Sequence, residues 1–160
     1  MAPGNALTPP LMTVCPGNVV RRYGFALPAH AESVCRARRL TRARLDRWGT
    51  TDETRETAIL IISELVTNAV VHAPGDHVMC ELREGNGRLH IAVEDQGFGP
   101  TGPQLHRSTD DEHDEHGRGL LLVDAMSSSW GTRDTSGYGA GRVVWAELPH
   151  EAGQGQGQPC

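Results

Sequence analysis

Lysine is absent from this 160-residue chain, whose 15 basic residues are all arginine. That excludes a Walker A phosphate loop, a Schiff-base lysine and a lysine general base. Aromatics are scarce too, at 4%, so a core must be built from Leu, Val, Ile and Ala. The four cysteines (Cys15, Cys35, Cys80 and Cys160) lie far apart without paired spacing, which argues against a disulfide framework or a zinc site. No apolar run approaches the roughly 18 residues of a membrane span. No basic residue precedes Arg21, as the start of a signal peptide would require, so the expected compartment is the cytoplasm. The net charge is −5 and the pI about 5.9, a balance that does not favour direct nucleic-acid binding.

What is present suits one folded domain: 38% hydrophobic residues against 22% charged ones. Residues 1–20 hold four of the ten prolines and read as a flexible lead-in. Residues 150–160, with their Gly-Gln alternation, read as a disordered tail, which leaves 21–149 as the domain. The pattern predicts a short strand over 23–27 and a helix over 29–48 ended by Gly49. Val34, Ala37, Leu40, Leu45 and Trp48 share one face of that helix. Arg36, Arg38, Arg39, Arg42 and Arg47 mostly take the other, as a solvated face or as a surface for a partner or a second copy.

Thr50 and Glu53 stand at capping-box spacing before a second helix that runs to His72 and stops at Pro74-Gly75. Its apolar stripe is Ala58, Ile62, Leu65 and Ala69, widened by Ile59 and Val66. Alternating runs over 77–84 and 88–94, joined by Gly85-Asn86-Gly87, predict a β-hairpin. Apolar residues nearly vanish over 99–116, which reads as a lid. A helix over 118–126 and strands near 128–133 and 142–148 complete the chain. The expected class is α+β: a two-layer sandwich with helices on one face of a mixed, mainly antiparallel sheet.

Three short motifs carry chemistry. Glu64 and Asn68, four apart on the second helix, lie one turn from each other at the border of its apolar stripe. There a carboxylate can accept a proton, and a carboxamide oxygen suits a magnesium ion that keeps most of its waters. Asp95-Gln96-Gly97-Phe98-Gly99 leaves a predicted strand, where a carboxylate can accept from an exocyclic amine while glycines admit a flat ligand. His116-Gly117-Arg118-Gly119-Leu120 enters a helix, whose free N–H groups and dipole favour an anion. Each has an ordinary structural reading alone: a surface pair, a turn, a helix start.

In this order and spacing, the three motifs resemble the N, G1 and G2 boxes of the GHKL ATPase/kinase superfamily, which includes gyrase, Hsp90, histidine kinases and MutL. The string from Ser63 to His72, SELVTNAVVH, is similar to the anti-sigma-factor serine/threonine kinases of the RsbW type. The resemblance covers about residues 25–149 and implies the GHKL (Bergerat) fold, with ATP and Mg2+ as cofactors. It implies Asn68 as the Mg2+ ligand and Glu64 as the general base on a substrate hydroxyl. Asp95 would accept from the adenine amine in a pocket shaped by Gly97 and Gly99. Gly117, Arg118, Gly119 and Leu120 would lie at the phosphates. The implied partners are a sigma factor and an anti-sigma-factor antagonist, with a homodimer common among relatives.

Two departures bear on activity. The family often has a Thr near the start of the last strand, where this chain has Arg142-Val143-Val144. Active kinases also carry an Arg just before the G2 glycines, where this chain reads Asp114-Glu115-His116. A partner-switching module that binds ATP without transferring phosphate is therefore the alternative. A detached histidine-kinase domain would need a helical hairpin with a phosphoacceptor His, but one helix precedes Glu64 and His30 lies at its start. His113 and His116 read as solvated lid residues rather than metal ligands.

Overall fold

Asn86 and Gly87 form a two-residue turn with φ of 54° and 70°. Two successive residues at positive φ make the hairpin turn whose twist matches the flanking strands, and it sets β2 (His77–Gly85) against β3 (Arg88–Asp95) with Gly85 opposite Arg88. In this computed structural model, which describes residues 20–72, 75–95, 117–135 and 141–150, the hairpin is the middle of a five-stranded sheet. The remaining elements are β1 (Arg21–Pro28), α1 (Glu32–Arg47), α2 (Asp52–His72), α3 (Gly117–Met126), β4 (Ser129–Asp134) and β5 (Arg142–Pro149). The strand order is β1-β2-β3-β5-β4, with every neighbouring pair antiparallel. The α+β sandwich expected from the sequence is the observed architecture.

Strand alternation decides what the helices cover. Val78, Cys80 and Leu82 of β2, Leu89, Ile91 and Val93 of β3, and Val144, Ala146 and Leu148 of β5 share one face and are buried. Against them α2 packs Ala58, Ile61, Ile62, Leu65, Val66 and Ala69, so the core is aliphatic, as the scarcity of aromatics required. A fully buried side chain of this size is worth roughly 1.5–3 kcal/mol. On α1 the buried line is Ser33, Ala37, Thr41 and Leu45, with Val34, Leu40 and Trp48 half-buried beside it.

Two helix boundaries differ from expectation. The first helix begins at Glu32, not at residue 29, because the chain leaving β1 is tied down elsewhere. Ala29 N–H donates to the Asp76 carbonyl, and His30 N–H and the Ser33 hydroxyl both donate to the Pro28 carbonyl. Thr50 does not cap α2. It closes α1: with Gly49 at φ 72°, Gly49 N–H bonds Asp46 O and Thr50 N–H bonds Leu45 O, a Schellman ending. The cap of α2 is Thr51, whose Oγ1 accepts from Thr54 N–H at 3.4 Å. The packed region extends through His150, which is 4% exposed and donates its N–H to the Gly87 carbonyl. No described helix is long and apolar enough to cross a membrane. The readings of 1–19, of the 99–116 lid and of 151–160 lie outside the described residues.

Candidate functional site

Near its C-terminal end α2 turns two polar side chains toward α3. Glu64 and Asn68 are each half-buried, between buried Leu65 and Ala69 on one side and exposed Thr67 and Val71 on the other. With Thr67, Val71, His72, Gly119 and Leu120 they line a cavity of about 60 Å3. That is room for a hydrated ion or a phosphate group rather than a whole nucleotide.

At Gly119 the first turn of α3 comes close to Glu64 of α2. A Cβ there would fall 2.6 Å from Glu64 Oε2, so any side chain would displace that carboxylate. Gly119 lies in the first turn of α3, where backbone N–H groups have no partner within the helix and the helix dipole is positive. The Glu64 carboxylate therefore rests against the anion-favouring end of α3. The Ser63 and Thr67 hydroxyls beside it are spent on α2 itself, donating to the Ile59 and Ser63 carbonyls at 2.7 Å.

Asp95 ends β3 on the helix-facing side, in phase with Ile91 and Val93. Its Oδ1 accepts the Arg142 backbone N–H at 2.9 Å, which fixes the carboxyl at the open end of β3 and β5. Val144 is buried on the same side of the sheet, opposite Val93. The nearest hydroxyl in that register is Thr132 of β4, opposite Val144 and exposed.

Of the residues singled out from sequence, the fold brings Glu64, Asn68, Gly119 and Leu120 to one cavity and sets Asp95 at the end of the adjoining sheet. Gly117 and Arg118 are the first two residues of α3, and their side chains are not described. Gly97, Gly99, His113 and His116 lie outside the described residues. Sequence reasoning missed Thr67, Val71 and His72 as cavity walls. Their spacing of three and four from Glu64 and Asn68 was the available signal.

The donor set limits what the site can hold. Among the described residues no group of three or more His, Cys, Asp or Glu gathers to hold a metal. One carboxamide and one carboxylate are hard oxygen donors, which fit a magnesium ion that keeps its waters and leans on phosphate oxygens. Burial pushes the Cys80 thiol up to about 12, so it is neither nucleophile nor ligand. A larger cleft of about 420 Å3 opens at the other end of α2, between Thr51, Glu53, Thr54 and Thr57 and the residues Met126, Leu148 and Pro149. It has no paired carboxylate and carboxamide, and the Thr51 hydroxyl is used as a helix cap.

The profile of the histidine kinase-like ATPase domain family matches residues 27–147, so the chain belongs to that family. Among solved structures the chain is similar to the RsbU and RsbW domains of Rv1364c from Mycobacterium tuberculosis. That match has a TM-score of 0.57 and 22% identity, and it covers 81% of this chain and 32% of that one. A second similar structure is full-length ShkA in complex with AMPPNP, with a TM-score of 0.45 and 20% identity over 79% of this chain and 31% of that one. The chain thus spans about a third of the length of either protein. The first likeness is one of fold. No curated protein matches the chain.

Proposed function

Starting from membership of the histidine kinase-like ATPase domain family, we propose that the chain is an ATP-dependent serine/threonine protein kinase of the anti-sigma-factor type. In this reading it sequesters a sigma factor and phosphorylates the anti-sigma-factor antagonist that releases it. The observation that carries the reading is the Glu64 carboxylate, one helical turn from Asn68 and against Gly119 at the start of α3. A base, a hard oxygen ligand and an anion-favouring helix end then serve one reacting phosphate.

The roles follow from chemistry. Asp95, with Oδ1 already held by Arg142 N–H, offers its second oxygen to the adenine amine, beside Gly97 and Gly99. Asn68 is the protein's ligand to Mg2+, and a bound Mg2+ neutralises charge on the phosphates. Gly117, Arg118, Gly119 and Leu120 hold the phosphates, with Arg118 in the role that lysine has elsewhere. Glu64 takes the proton of the substrate hydroxyl as its oxygen attacks the γ-phosphorus and the bond to the bridging oxygen breaks, releasing ADP. Its qualification is geometric reach.

Incubation with γ-labelled ATP, Mg2+ and candidate antagonists from the same genome tests this reading. Label should appear on a serine or threonine of one antagonist, and Glu64→Ala should abolish transfer while nucleotide still binds. Full transfer by that variant would remove Glu64 from the role of base. Nucleotide binding without transfer to any antagonist would favour a partner-switching module that is not a kinase. Arg142-Val143-Val144, with Val143 where the family often has a threonine, and Asp114-Glu115-His116 ahead of α3 support that second reading.

A further inference from the structure

The arginines of this chain are not used alike. Four of the six on the sheet strands are ion-paired: Arg21 with Glu84, Arg22 with Glu81, Arg88 with Glu147 and Arg142 with Asp134. Helix α1 holds six arginines and two acidic residues, in a chain whose net charge is −5. Two of the six are engaged: Arg42 with Glu56 of α2 at 2.7 Å, and Arg44 over the Tyr23 ring at 3.8 Å. Asp46, one of the two acids, is held by Arg55 of α2 at 2.6 Å. Arg36, Arg38, Arg39 and Arg47 are exposed and have no acidic partner among the described residues.

Three of these four share one line. Arg36, Arg39, Ala43 and Arg47 follow the i, i+3, i+7, i+11 spacing that keeps side chains on one stripe, here on the exposed side of α1 and off the buried line of Ser33, Ala37, Thr41 and Leu45. Eleven residues of helix span about 16 Å. Ala43 sits in the middle of the stripe, exposed and small, where it lets another backbone come close between flanking guanidinium groups.

We infer that this stripe of α1 docks an acidic helical segment of a protein partner, with carboxylates at matching helical spacing. Charge complementarity selects that occupant. A second copy joined through α1 by a two-fold axis would set arginine against arginine. Duplex nucleic acid carries about one charge per 1.7 Å, far denser than three arginines over about 16 Å, and the acidic remainder of this chain repels it. The surface stands apart from the Glu64 cavity. Only the identity of its partner, as the sigma factor or the antagonist, rests on the proposed kinase function.

The test uses a labelled helical peptide with glutamates at i, i+4, i+7 and i+11, its glutamine counterpart, and a labelled duplex oligonucleotide, each titrated against the full chain by fluorescence anisotropy. The glutamate peptide should bind and weaken as salt rises, and the glutamine peptide should not bind. Arg36→Glu, Arg39→Glu and Arg47→Glu together should weaken binding at least tenfold and confer binding of a lysine version of the peptide. The charge-matched control Arg22→Glu, Arg88→Glu and Arg133→Glu should bind as the unaltered chain does, with circular dichroism showing both triple variants folded. Equal loss in both triple variants, capture of the duplex in preference to the peptide, or no peptide binding would overturn the proposal. ATP binding measured on the α1 variant separates the two claims. A failed α1 surface leaves it intact, whereas a failed nucleotide site leaves peptide capture intact.

Discussion

The two ends of α2 treat polar groups in opposite ways. At the N-terminal end, beside the larger cleft, several are paired with one another. Arg55 bridges Asp46 and Asp52 at 2.6 and 2.5 Å, and Thr51 caps the helix. Nearby, Arg21 donates to the Trp48 carbonyl at 3.1 Å and lies 3.6 Å from Glu84, whose other oxygen meets His150 Nε2 at 2.5 Å. Glu84 and His150 are 8% and 4% exposed, so this is a pair that water scarcely reaches. At the C-terminal end Glu64 and Asn68 remain half-exposed around a small cavity. The comparison separates charge that joins strands to one another from charge left open to a ligand.

Breaking the paired end should have the largest effect. His150→Ala removes the buried hydrogen-bond partner of Glu84 Oε1 and leaves only Arg21, 3.6 Å from the other oxygen, and leaving a buried polar group unsatisfied costs about 1–3 kcal/mol, more where it is charged. Chemical denaturation should show that loss, and Glu84→Gln in the same chain should recover part of it because a neutral amide is cheaper to bury. ATP affinity should stay as it was.

The open end should respond in the reverse sense. Asp95→Asn keeps an oxygen for Arg142 N–H but turns an NH2 donor toward the adenine amine. Nucleotide affinity should fall 10- to 100-fold, about 1.4–2.8 kcal/mol, with an unfolding midpoint that barely moves. Calorimetric titration and a urea curve on the same sample measure both quantities. Gly119→Ala sharpens the contrast within one helix. Its methyl displaces the Glu64 carboxylate, so phosphate transfer should drop at least tenfold. Alanine's better helix propensity, about 0.8–1.0 kcal/mol over glycine, offsets the crowding in stability.

The smallest effect belongs to the face of the sheet away from the helices. His90 stacks on Trp145 with ring centroids 5.7 Å apart. Burial, helped by the Arg83 charge, holds its pKa below the usual histidine value. The unfolded chain therefore takes up the proton first as pH falls, and the folded state loses stability from the ordinary histidine range down through the depressed value. His90→Gln should flatten the thermal midpoint between pH 7 and 5, by an amount well below that of His150→Ala.

The open end was the more legible in the sequence. Glu64 and Asn68 could be set side by side because helical spacing is local, and the Asn86-Gly87 turn announced its hairpin. The paired end was not legible, because its partners are joined by the sheet rather than by the helix. Glu84 looks like the polar end of an alternating strand, and His150 reads as the first residue of a low-complexity tail. Only the pairing of β3 with both β2 and β5 brings them together. Thr50 misled for a related reason: the Schellman ending of α1 and the cap of α2 fall on adjacent residues, and the capping spacing fits either.

The central claim is that the open end of α2 and the adjoining end of β3 form one ATP site. Its most direct measurement is calorimetric titration of ATP with Mg2+ into the unaltered chain, the Asp95→Asn chain and the His150→Ala chain. The account predicts binding by the unaltered and His150→Ala chains and at least a tenfold loss in Asp95→Asn. Equal affinity in all three would contradict it.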